Sequence, residues 1–282
     1  MIKFFRKIRY DLMENNKQTS PAEASAKAGS STEASAKARK YLKYAVGEII
    51  LVVIGILIAL SINNWNEYRK DRNQEREFLV QLQSEFESNL NQLDQKIALR
   101  KDMIKAAITL LNCIDFPENC NPDIISTNIG YSILAPTFDP IVNDIISSGR
   151  IQLLQSADLK QKLSLWTSEI VQVTEEEQMW THYRSNEYVP FLLNFGIHRT
   201  LTNNFWNNST AQSFQLDNKG ENGFEIGNSK KKFDFSILLN DSKFESLVAQ
   251  SASFSKLANS QSISLRSRIV EILEIINNDL KE

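Results

Sequence analysis

Histidine and cysteine are scarce in this sequence, with two of each among 282 residues. Cys113 and Cys120 bracket IDFPEN, while His182 lies in WTHYRSNEY and His198 in FGIHRT. Two sulfurs with neither a nearby histidine nor a second CxxC leave a zinc shell half built, so no metal ligand is assigned. The histidines have no motif spacing around them and read as packed or surface residues. Also missing are the strings that mark common catalytic and nucleotide sites: there is no GxSxG, HExxH, P-loop or GxGxxG. No catalytic residue and no cofactor is therefore expected, and the chain reads as a non-enzyme.

Charge is missing from one stretch. From Tyr44 to Ile62, within YAVGEIILVVIGILIALSINNWNE, Glu48 is the only charged residue among nineteen. As a helix this run covers roughly 28 Å, enough to cross a bilayer. A cleaved signal peptide competes, with Ala59-Leu60-Ser61 as a cleavage site, but more than forty residues precede the run. Trp65, just beyond it, suits a membrane-interface anchor, so an uncleaved single span is expected. The near flanks are equally basic. Residues 1–43, however, carry ten Lys/Arg against Asp11, Glu14, Glu23 and Glu33, a net of +6 that leaves −8 for the remainder of a chain whose total is −2. A short basic tail is readily retained in the cytoplasm, which predicts an N-inside topology with the long acidic part outside.

Proline is scarce too, and its spacing divides the chain. MIKFFRKIRYDLM reads as a basic amphipathic helix over residues 1–17, with Lys3, Arg6, Lys7 and Arg9 facing an anionic membrane surface. Residues 18–40 contain EASAKA twice, at Glu23–Ala28 and Glu33–Ala38, without an apolar face, and read as a solvated linker. The span occupies 41–64. After it Leu79, Leu82, Phe86, Leu90, Leu93, Ile97, Ile104, Ile108 and Leu111 recur at helical spacing, with no proline before Pro117. Arg100 interrupts this seam, so a bundle member is expected rather than a pure coiled coil.

Residues 113–138 hold three prolines and read as loop. In DPIVNDIISSG, Asp139 reads as an N-cap, Pro140 as the first helical residue and Gly149 as the stop. A helix is expected over about 157–188 with Leu159, Leu163, Trp166, Ile170 and Val173 inward. Residues 203–232 read as loop or hairpin, and a last helix runs over about 242–280 with Ile269, Leu273 and Ile276 inward. The fold class predicted is all-α: a transmembrane helix continuing into a long helix of an antiparallel periplasmic bundle, residues 65–282. The run TEEEQMW, Thr174–Trp180, reads as a solvated face.

Within the span, Glu48, Val52, Gly55, Ala59 and Asn63 share one helical stripe, and Gly55 with Ala59 makes a small-xxx-small pair suited to close helix packing. Glu48 then faces a partner helix, or lies near enough to the headgroups to snorkel; proton handling is the alternative role. Outside the cytoplasm Cys113 and Cys120 could close a disulfide; two free thiols near a helix end are the other reading. Nucleic acid is not expected as a partner, because an acidic domain repels phosphates.

The strings MIKFFRKIR and YAVGEIILVVIGILIALSINNWNE resemble the N-terminal module of a family of uncharacterised single-pass membrane proteins of Gram-negative bacteria. The resemblance covers residues 1–13 and 41 to about 80, with weaker likeness in SSGRIQLLQSADL and LLNDSKFESLV. It implies placement in the inner membrane, with Gly47-Glu48 and Asn63-Asn64-Trp65 as shared positions, and no assigned activity. The EASAKA duplication departs from that pattern. The function expected is a membrane-anchored interaction or scaffold protein, its span meeting the bilayer and a second copy or another membrane protein. The alternatives are a subunit of an ion-coupled complex using Glu48 and a periplasmic sensor acting through a partner.

Overall fold

The computed structural model describes residues 30–141, 149–207, 226–227 and 229–281. Most of these residues are helical, with no strand among them. The chain divides into two compact units, Met1–Glu67 and Tyr68–Glu282.

Helix α1, Ser30–Asp115, supplies the described part of the first unit and then the first helix of the second. The second EASAKA copy, in the segment read as a solvated linker, is helical and continuous with the rest of α1; Ala, Glu and Lys lose little freedom in a helix and no proline stops it. The first copy and the basic segment with Lys3, Arg6, Lys7 and Arg9 lie outside the described residues. α1 contains an 18-residue window of mean hydropathy 2.8, none of it buried, and is long and apolar enough to cross a membrane. It ends one residue before Phe116-Pro117, where the backbone ahead of a proline is pushed out of the helical region.

Residues 113–138 are not loop throughout. A 3₁₀ turn, Pro117–Asn119, is followed by helix α2, Pro122–Ser132. Asn121 caps it by accepting a 2.8 Å hydrogen bond from Ile124 N, and Pro122 takes the first turn, where a missing N–H costs nothing. The helix α3, Ala157–Tyr183, is capped by Ser156 and passes through one π turn, Arg184–Tyr188, into α4, Val189–Asn194. Then come α5, His198–Asn207, α6, Phe235–Leu239, and α7, Ser242–Asp279, whose cap Asp241 accepts from Lys243 N and Phe244 N.

Within the second unit the three long helices are not all antiparallel. α1 and α3 run in the same direction: the rings of Phe86 and Trp166 lie 4.9 Å apart, and further along Arg100 pairs with Glu177. α7 opposes both, through Gln83–Asn277 and Asp94–Arg266 on one side and Lys162–Glu271 and Glu169–Arg268 on the other. Parallel neighbours need a return connection, and residues 134–155 supply it.

The return begins as a strap, residues 134–141. Asp139 and Pro140, expected to open a helix, lie instead in this non-helical strap with Ile141; the rest of that expected helix, 142–148, lies outside the described residues. Arg100 reaches Pro136 O and Asn89 reaches Ile141, so five residue steps along the strap match eleven steps along α1. Eleven helical residues rise roughly 16 Å, and five residues cover that only when nearly fully extended, at about 3.3 Å each. Burial alternates accordingly: Leu134, Pro136 and Phe138 are buried, Thr137, Asp139 and Ile141 exposed.

Candidate functional site: a buried polar layer and the strap above it

The core of the second unit is two apolar clusters. One gathers Phe78 to Ile97 of α1, Leu159 to Val173 of α3 and Leu265 to Ile276 of α7. The other takes Leu99 to Cys113, Trp180, Tyr188 and Phe244 to Val248. Where the two clusters meet, each helix carries buried polar residues: Arg100 on α1, Glu177 on α3, and Ser251, Ser255, Asn259 and Ser262 on α7.

Arg100 is 2% exposed and Glu177 3%. The guanidinium donates to Glu177 Oε1, to Ser262 Oγ at 2.8 Å and, more weakly, to Asn259 Oδ1 and Pro136 O. Glu177 Oε2 accepts from Phe138 N at 2.7 Å. Burial pushes the Glu177 carboxyl up, against the pull of Arg100 and the Phe138 N–H; burial likewise lowers Arg100 and the half-buried Lys96 beside it. A void of about 10 Å³ adjoins Arg100, Glu177 and Ser255, whose Oγ has no hydrogen-bond partner among the described residues. That is room for one water at most and for no substrate.

The strap closes over this layer and is held mostly by side chains. Trp180 Nε1 donates to Leu134 O at 2.7 Å, and Arg184 Nε donates to Ile133 O. Gln92 donates to Asp139 O and accepts from Asp139 N, both at 2.9 Å. Asn89 does the same with Ile141, at 3.0 and 2.7 Å. Two amides one turn apart on α1 thus pair with alternate residues of an extended chain, as a neighbouring β-strand would. Beyond the undescribed residues, Glu75 accepts from Gln155 N, and Arg150 lies 4.4 Å over the Phe78 ring.

Sequence reasoning misses most of this. Glu177, expected on a solvated face, is buried, as is Trp180, while Glu175, Gln178 and Met179 of that run are exposed. Past Arg100 the expected stripe is wrong in register: Met103, Ala107 and Leu110 are buried, while Ile108 is 51% exposed. The legible signal is Arg100 itself, which continues the seam instead of interrupting it.

The residues singled out in the span, Glu48, Gly55 and Ala59, are solvent-facing, as is Trp65. A Cβ added to Gly55 meets nothing within 4 Å. Cys113 and Cys120 are joined in a disulfide, with Cα atoms 5.7 Å apart. His182 shares a hydrogen bond with Asn186 in an open groove lined by Glu175, Met179, Tyr183 and Phe254. His198, at the start of α5, has a ring held below the usual histidine range by burial and by Arg184. Among the described residues no group of three or more His, Cys, Asp or Glu is placed to hold a metal.

Residues 48–166 match a family of unknown function, DUF6090. The match runs from Glu48 through the span, the disulfide and the strap to Trp166 in α3, less than half of the chain, and stops short of Glu177 and α7. No curated protein and no solved structure matches the chain.

Proposed function

We propose that this chain is a single-pass membrane anchor carrying a helical interaction domain, with no chemistry of its own. The observation that carries the reading is the wholly exposed apolar window in α1, mean hydropathy 2.8, which only a lipid or protein environment would cover. The basic N-terminal segment stays in the cytoplasm of a Gram-negative cell and the bundle from residue 65 lies in the periplasm. Two facts support that side: the +6 and −8 division of charge, and the Cys113–Cys120 bridge, a bond that persists in oxidising compartments. The span meets a partner helix, a second copy or another membrane protein, along Glu48, Gly55 and Ala59, because small residues let helix backbones approach where no hydrophobic force favours one apolar contact over another.

A photo-crosslinking amino acid in place of Ala59 tests this in intact cells. A protein adduct is expected, lost when Gly55→Leu fills the stripe. Labelling of lipid alone would contradict the interaction reading. Glu48→Gln should leave the adduct and cell behaviour unchanged; loss of function with the adduct retained would favour the ion-coupled alternative.

A further inference from the structure

We infer that the α1–α3 groove is a main-chain-reading peptide site, occupied in this structure by the chain's own residues 134–141, and that its partner is an extended peptide with an aromatic side chain in the place of Phe138. The inference deepens the interaction reading by naming the kind of partner, yet its test does not depend on which side of a membrane the bundle lies.

Four observations carry it. First, Gln92 and Asn89 each close a ring with the N–H and C=O of one strap residue, a contact that any residue other than proline offers at that position. Helix side chains therefore do what an exposed sheet edge does when it captures a strand. Second, the spacing suits a peptide: Asp139 and Ile141 are read, Pro140 between them has no N–H to satisfy, and the side chains of Asp139 and Ile141 point to solvent. Third, the deep anchor in this half is Phe138, 3% exposed and packed into the Phe78–Ile276 cluster, with its N–H held by Glu177. Main-chain reading plus one aromatic anchor is how a groove gains affinity without demanding a sequence. Fourth, among the described residues the strap from Ala135 to Ile141 lies in no helix or sheet and is held through Arg100, Glu177, Gln92 and Asn89, contacts that a second peptide would remake.

The test uses the full chain in detergent micelles and a fluorescein-labelled peptide LAPTFDPI, the sequence of 134–141. Hydrogen exchange on the unmodified protein should show the amides of 137–141 opening locally, about ten-fold or more faster than those of α3 and α7. Phe138→Ala, which loosens the internal strap, should bind the labelled peptide about ten-fold more tightly than the unmodified chain does. A peptide with alanine for its phenylalanine should bind about ten-fold more weakly. Changes at the peptide's threonine and aspartate should leave binding within about two-fold, because those positions face solvent. Strap amides that exchange only with the whole domain would overturn the inference, as would a folded Phe138→Ala protein that ignores the peptide. If that variant does not fold, exchange on the unmodified chain decides.

Discussion

Arg100 and Glu177 set the residue-scale behaviour of the bundle. Removing one partner of a buried pair strands the other charge, so Glu177→Ala should cost about 3–5 kcal/mol in denaturant unfolding. Replacing both with apolar residues, Arg100→Met with Glu177→Leu, should recover most of that loss, since the desolvation penalty vanishes with the charges. His198 should make stability fall in acid. Its folded-state pKa is lowered, so as pH drops through the unfolded value of about 6.5 the unfolded chain takes up a proton that the folded chain refuses. Denaturant midpoints at pH 7.5 and 5.5 should show the decline, and His198→Gln should flatten it. Periodicity exposes Arg100 but not Glu177: a run of three glutamates is usually wet, and only the three-dimensional register brings one of them opposite a guanidinium.

Local capping and breaking rules account for most of the elements. Ser156 and Asp241 begin α3 and α7 where side-chain oxygens accept from the first turn, and Pro117 bounds α1. α2 is hidden because Pro117, Pro122 and Pro136 together suggest loop; yet Asn121-Pro122 is a helix start, and Asn121→Ala should lower thermal stability by about 1 kcal/mol. The strap is hidden for a different reason. Asp139-Pro140 satisfies the local rule for a helix start, but Gln92 and Asn89, nearly fifty residues away, claim its backbone. Contacts at that sequence distance leave no periodic trace. The disulfide closes a short loop at the end of α1, and reducing it should destabilise the second unit by roughly 2–3 kcal/mol if chain entropy governs.

At the scale of the whole molecule, the apolar span is plain in the sequence because nineteen residues with one charge suit a hydrocarbon interior far better than an aqueous surface. The direction of the bundle helices is not. Apolar stripes say that α1, α3 and α7 pack, but parallel or antiparallel depends on the connection, here an extended strap that carries the chain back before α3 begins. The matched family stops at residue 166, so Glu177 and the serines of α7 in the buried layer come from beyond the match. A domain with a closed core and a single anchor, as proposed above, acts by what it touches.

The anchor and its direction are the central claim, and protease protection in spheroplasts addresses both. A chain tagged at each end should stay with membranes through alkaline carbonate extraction. External protease should remove the C-terminal tag while the N-terminal tag survives until the membrane is broken. Release of the chain by carbonate, or a C-terminal tag protected in intact spheroplasts, would contradict the account.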